Sequence, residues 1–109
     1  FRPMVVGVMP DGGYIVCSET AALDAVGADF VRDVQPGELI TIDDDGLHLD
    51  HFTTNTSLAV CSMEYIYFAR PDSDIHGINV HQARVRMGER LAKEQPADAD
   101  IVVGVPNSS

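Results

Sequence analysis

Apolar and polar positions alternate with period two in several short stretches of the first half of the chain, at 29–34, 38–43 and 47–52. Residues 4–9, MVVGVM, are a short apolar run of the kind a buried strand carries. Pro10-Asp11-Gly12-Gly13 is a turn signal, and YIVCSE at 14–19 reads as the return strand of a hairpin. TAALDAVGA at 20–28 fits a short helix carrying Ala22, Leu23 and Val26, with Gly27 placed to end it. DFVRDV at 29–34 suits a half-buried strand, and Gln35-Pro36-Gly37 turns the chain. ELITID at 38–43 alternates again; Asp43-Asp44-Asp45-Gly46 is a hairpin turn into LHLDHF at 47–52, where Leu47, Leu49 and His51 share one face. This half predicts a run of mostly antiparallel strands.

The pattern changes after TTNTS at 53–57, a polar connector. LAVCSMEYIYFA at 58–69, with Tyr65, Tyr67 and Phe68, reads as a long extended segment, and RPDSDIHGI at 70–78 reads as a loop. NVHQARVRMGERLAKEQP at 79–96 predicts the best helix of the chain. Asn79 can cap it, with Gln82 in the capping-box position; Val80, Ala83, Met87 and Leu91 form its apolar stripe, and Pro96 stops it. DIVVGVP at 100–106 is continuously apolar, like a strand covered on both faces in a parallel sheet. The second half therefore predicts β–α–β, giving a fold class of α+β passing into α/β, with a domain boundary near 53–57.

With 109 residues, the chain is one ordinary domain or pieces of two. Seven basic against seventeen acidic residues leave a net charge of −10, which argues against a nucleic-acid or anionic-membrane surface. No stretch approaches the ~18 apolar residues of a membrane span. The start, FRPMVVGVMPDGG, lacks the basic region and apolar run of a signal peptide, and both ends read as cut from a longer chain. The two cysteines, Cys17 and Cys61, cannot build a disulfide framework and fit a reducing cytoplasmic location. They are also too few to hold a zinc ion or an iron–sulfur cluster unaided, which disfavours a self-contained metal-binding protein.

Chemistry has few candidate positions. GVPNSS at 104–109 would deliver a small-residue turn to a strand's carboxyl end, where ligands bind in open α/β sheets; an ordinary polar turn is the plainer reading. Asp43–Asp45 lack the spacing and distal Glu of a calcium loop and read as a solvated hairpin tip. His48 and His51 fall on opposite faces of a strand, and His76 and His81 flank a loop and a helix start; all four read as surface histidines. Arg84, Arg86 and Arg90 read as a solvated helix face pairing with Glu89 and Glu94, and Arg70 is either part of that surface or a partner for a bound anion. On residue chemistry alone, Cys61 and Cys17 are buried small hydrophobes or ligands.

Two blocks go further. SETAALDAVGADFVRDVQPGEL (18–39) and CSMEYIYFARPDSDIHGINVHQARVRMGERLA (61–92) resemble the amidophosphoribosyltransferases, the glutamine phosphoribosyl pyrophosphate amidotransferases that open purine synthesis. The resemblance rests on Ser-Glu-Thr with ALD.VGA, the V.PGE turn, EYIYFARPDS and the ARxxMGxxLA helix, with GVPNSS matching the entry to the phosphoribosyltransferase site. It covers nearly the whole chain.

That resemblance implies two joined domains. Residues 1–55 would be the end of an N-terminal-nucleophile glutaminase domain with an αββα sandwich, and 56–109 would open a type I phosphoribosyltransferase domain. The aromatic segment would be the first strand after the junction. The implied reaction hydrolyses glutamine, passes ammonia through a channel and attacks C1 of phosphoribosyl pyrophosphate, giving phosphoribosylamine, pyrophosphate and glutamate. The nucleophilic cysteine and the phosphoribosyl-binding loop of that family have no counterpart in the chain, so it is expected to be inactive alone. The CSMEYIYF spelling resembles members with iron–sulfur chemistry, which implies Cys61 as a ligand of a [4Fe–4S] cluster with three cysteines from elsewhere. The turn at 106–109 implies Ser109 as part of a Mg²⁺–phosphoribosyl pyrophosphate site, with Asn107 standing where the family usually has an acid. The implied partners are glutamine and phosphoribosyl pyrophosphate, purine nucleotides as feedback inhibitors, and further copies in a tetramer, with no nucleic acid and no membrane. The competing expectation is a non-catalytic structural or interaction module from a paralogue.

Overall fold

The computed structural model describes residues 2–106. Strand β1 (Val5–Val8) is central in a three-stranded antiparallel sheet of order β2–β1–β3, with β2 at Tyr14–Cys17 and β3 at Asp29–Asp33. The expected hairpin forms in the register Val5↔Cys17 to Val8↔Tyr14. Its turn is closed by Met9 N donating to Gly13 O at 2.7 Å and by Gly13 N donating to Asp11 Oδ1 at 3.0 Å. Helix α1 (Thr20–Val26) lies on the sheet and presses Leu23, with Val5 and Ala28, into a core joined by Met9, Ile15 and Cys17. Gly7 permits that approach: a Cβ there would sit 2.6 Å from Leu23 Cδ2. Gly27 ends α1 in the left-handed region at φ 70°, the conformation its missing side chain allows.

The second hairpin, β4 (Glu38–Asp43) and β5 (Gly46–His51), also forms as expected, pairing Ile40 with Leu49 and Ile42 with Leu47. Arg32 of β3 pins it by donating to both Glu38 carboxylate oxygens at 2.7 and 2.8 Å. Helix α2 (Val80–Glu94) starts where the sequence places it, with Asn79 Oδ1 accepting from Gln82 N at 3.1 Å. Its first turn closes a second core of Ala69, Ile75 and Val80, flanked by Tyr65. Beyond that turn the stripe opens: Met87 and Leu91 are 41% and 61% exposed.

Three expectations change, and the loss of two strands leaves the β–α–β pattern of the second half unformed. Residues 62–68 coil into a helical turn whose Glu64–Phe68 part is π-helical, closed by Ala69 N donating to Glu64 O at 3.1 Å. The aromatic composition favours a strand. A strand, however, would send neighbours Glu64 and Tyr65 to opposite faces. The wide turn instead carries Glu64 inward to Arg2 and Tyr65 onto the second core. The loop expected at 70–78 contains a tight pair of two-residue strands, β6 (Asp74–Ile75) and β7 (Ile78–Asn79). Residues 100–106 form no strand, and Val102 is 91% exposed, because no described strand lies beside them to pair their backbone.

The result is a mixed α/β arrangement with two small cores and much apolar surface. Its accessible area of 8042 Å² compares with about 5,900 Å² for a compact chain of this mass. Its radius of gyration of 17.9 Å compares with about 13 Å for a compact domain of this length. No described helix is long and apolar enough to cross a membrane.

Candidate functional site

Ser-Glu-Thr at 18–20 lies between β2 and α1, and Arg-Pro-Asp-Ser at 70–73 lies between the π turn and β6. The fold brings these two blocks into contact. Glu19 occupies the cap position of α1 with an extended backbone, yet its side chain makes no cap bond to its own helix. Ser73 supplies that contact, its Oγ accepting from Ala21 N at 3.4 Å. The same hydroxyl donates to Glu19 Oε2 at 3.0 Å, and that oxygen also accepts from Arg70 N at 2.8 Å. Thr20 Oγ1 accepts from Asp74 N at 2.7 Å. Ser73 is fully buried, and its carbonyl accepts from Val80 N, at the start of α2, at 2.9 Å. One serine thus holds the N-terminal ends of both helices.

The π turn is fixed from two sides. Glu64, 3% exposed, accepts from Arg2 at 2.8 Å, and the Arg2 guanidinium carbon stands 5.0 Å from the Phe68 ring centre. From the other side Arg84 donates to Tyr65 O at 2.7 Å and to Ala69 O at 2.9 Å, placing a cation on carbonyls that the end of a helical turn leaves free. The Tyr65 hydroxyl donates to Ile75 O at 3.1 Å, and burial pushes its ionisation above the ordinary phenol range, helped by the Asp33 charge. Arg84 is therefore not part of a solvated face, whereas Arg90 does pair with Glu94 as the spacing predicts.

Arg70 is exposed and already engaged, donating to Asp72 at 3.0 and 2.7 Å. That partner raises the Arg70 pKa and lowers that of Asp72, the signature of a local ion pair. The adjoining cleft of about 360 Å³ is lined by Thr20, Asp24, Asp33, Asp72, Asp74 and His76, a carboxylate-rich wall that repels phosphate. His76 bridges toward Asp33 at 3.8 Å. His48 sits on β5 with Nε2 2.9 Å from Asp43 Oδ1 at the hairpin end, and Asp43 Oδ1 accepts from Asp45 N.

Cys17 packs against the first core, where burial pushes its thiol pKa up. Cys61 is a partly exposed free thiol at the head of the π turn, and its carbonyl accepts from Glu64 N at 3.1 Å. Among the described residues no group of three or more His, Cys, Asp or Glu is placed to hold a metal ion. A four-thiolate cluster needs three ligands besides Cys61, and no such set surrounds it among the described residues. Asn107 and Ser109 lie outside the described residues.

No protein-family model matches the chain. An amidophosphoribosyltransferase of Staphylococcus epidermidis is 55% identical over 108 residues, and one of Bacillus subtilis is 53% identical over the same length. Both alignments take in 99% of this chain and 22% of the relative. The chain is similar to amidophosphoribosyltransferase along almost its whole length. It spans about a fifth of those relatives. The backbone agrees: a solved structure of glutamine phosphoribosylpyrophosphate amidotransferase from B. subtilis, complexed with ADP and GMP, superposes with a TM-score of 0.93 at 53% identity. Another, described as the allosteric regulatory enzyme of purine biosynthesis, gives 0.94 at 53% identity. Each match covers 99% of this chain, and 24% and 23% of the other. The π turn and the exposed 100–106 segment belong to a chain whose path closely follows an amidophosphoribosyltransferase.

Proposed function

We propose that this chain is a segment of an amidophosphoribosyltransferase that makes 5-phosphoribosylamine, pyrophosphate and glutamate from glutamine and phosphoribosyl pyrophosphate, in the first committed step of purine synthesis. The observation that carries the reading is the similarity over 99% of the chain in both sequence and backbone path. The apolar residues exposed along α2 and at 101–105 support it, since a larger protein supplies the surfaces that cover them.

On this reading residues 1–55 close the glutaminase domain and 56–109 open the phosphoribosyltransferase domain. The Ser-Glu-Thr and Arg-Pro-Asp-Ser contact is then an interdomain contact. Cys61 serves as one thiolate of a [4Fe–4S] cluster in the intact enzyme, and Ser109 serves the Mg²⁺–phosphoribosyl pyrophosphate site through an oxygen of the kind magnesium prefers. The enzyme works in the cytosol as a tetramer and answers to purine nucleotides, a role that the ADP and GMP bound to the B. subtilis relative support. The chain's own residues contribute positioning rather than the reacting groups.

The test is the intact protein that carries this chain. It is expected to form phosphoribosylamine with either glutamine or ammonia as nitrogen donor, and anaerobic preparations are expected to contain iron and sulfide that Cys61→Ala removes. Ser109→Ala is expected to raise the KM for the sugar phosphate at limiting magnesium. No activity with either donor would refute the enzyme reading in favour of a non-catalytic module. Active enzyme free of iron would refute only the cluster.

A further inference from the structure

We infer that Glu19 and Ser73 are positioning residues that hold the two units of this enzyme in register, so that nitrogen released in one reaches the acceptor in the other. The inference rests on the proposed function.

Four hydrogen bonds join the blocks at 18–21 and 70–74: Ala21 N to Ser73 Oγ, Ser73 Oγ to Glu19, Arg70 N to Glu19, and Asp74 N to Thr20 Oγ1. They run in both directions between the blocks and use backbone as well as side chains, so together they restrict sliding and rotation alike. Ser73 cannot move without disturbing α2, because its carbonyl holds the Val80 N–H. It cannot leave α1 without baring Ala21 N–H, which α1 has no side chain of its own to satisfy. Shifting α1 against α2 therefore breaks all four bonds together, and the buried one from Ala21 N–H to Ser73 Oγ is the costly one to leave unpaired. The other links between these regions are looser: Arg2 of the Arg2–Glu64 pair is 64% exposed, and His76 stands 3.8 Å from Asp33.

A clasp that served stability alone would leave the reaction's stoichiometry untouched when weakened. A clasp that sets register acts on transfer, because nitrogen released while the units are misaligned is lost to solvent. Free ammonia supplied from solution does not depend on that register.

The experiment compares the intact enzyme with Ser73→Ala, Glu19→Ala and Glu19→Gln, measuring glutamate released per pyrophosphate formed, and separately the ammonia-dependent rate. Each alanine variant removes two of the four bonds, so the ratio is expected to rise at least about twofold above the unsubstituted enzyme. Ammonia-dependent turnover is expected to stay within about twofold, a change small beside a tenfold barrier step. Glu19→Gln keeps an acceptor oxygen and is expected to restore the ratio. If Ser73→Ala fails to fold, Glu19→Ala carries the test, since Glu19 is only partly buried. An unchanged ratio in a folded alanine variant overturns the inference, as does a fall in ammonia- and glutamine-dependent rates in equal proportion. An unsubstituted enzyme inactive with both donors overturns the proposed function itself, and this inference with it.

Discussion

Replacing Arg84 by lysine or alanine probes why the aromatic segment coils. Its guanidinium makes two bonds at 2.7 and 2.9 Å, to carbonyls four residues apart, a fork that one ammonium cannot reproduce. Each hydrogen bond from a charged group contributes ~1.5–3 kcal/mol, and partial exposure of Arg84 places both at the low end. Arg84→Ala should therefore raise the free energy of the closed turn by about 3 kcal/mol, and Arg84→Lys by about half that. The readout is native-state hydrogen exchange at Ala69, whose N–H closes the turn onto Glu64 O. At about 1.4 kcal/mol per decade, Ala69 protection should drop roughly 100-fold in the alanine variant and 10-fold in the lysine variant. Exchange at residues 5–8 of β1 serves as the internal control, since Arg84 touches nothing there. Unchanged protection at Ala69, or an equal loss at β1, would refute the claim that Arg84 locally holds the turn.

Other outcomes follow from the same geometry. Gly7→Ala places a Cβ 2.6 Å from Leu23 and should cost about 1–3 kcal/mol; a denaturation midpoint equal to that of the unsubstituted protein would contradict the close approach of α1. The Gln35 N–H and then the Arg32 guanidinium hold the Glu38 carboxyl below the usual range, so its contribution is present above the ordinary carboxylate pKa and is lost as pH falls through the depressed one. Glu38→Gln should flatten the acid limb of the stability profile, and coincident limbs would remove Glu38 from that account. Burial raises the Cys17 thiol, so its stabilising effect is complete below the ordinary thiol pKa and is lost as pH rises through the raised one; alkylation of Cys17 should accordingly require a higher pH than a free thiol, and labelling on the free-thiol profile would refute its packing into the first core.

The sheet, both hairpins and both helices were readable because each rests on local signals. Gly27 after Val26, Asn79 before Val80 and the turn at 43–46 all act within a few residues of the elements they delimit. The π turn was not readable, because Tyr65, Ile66, Tyr67 and Phe68 favour extended backbone and their curl is set by Arg2 and Arg84, distant in sequence. For the same reason Arg84 could not be told from its neighbours Arg86 and Arg90. The apolar run at 100–106 reads as a strand covered on both faces, but a strand needs an adjacent strand, and among the described residues the run pairs with none and stands exposed. The two blocks at 18–21 and 70–74 stood out by resemblance, yet nothing in either pointed to their contact: Ser73 lies 52 residues from Ala21. For Cys61 the sequence offered a ligand type and the fold a partly exposed free thiol.

The cap that Ser73 gives to α1 also places that helix in time. A seven-residue helix falls short of the ~12–15 residues at which isolated helices begin to persist in water. Ribosomes add ~5–20 residues per second, so the 52 residues separating Ala21 from Ser73 take roughly 3–10 s to make. Throughout that interval the emerging chain can complete the β2–β1–β3 sheet that Leu23 packs on, but the N-terminal end of α1 lacks the Ser73 contact and its Ala21 N–H is left to water. A translational pause between the two blocks prolongs this exposure, and a pause of equal length just after Ser73 has emerged does not.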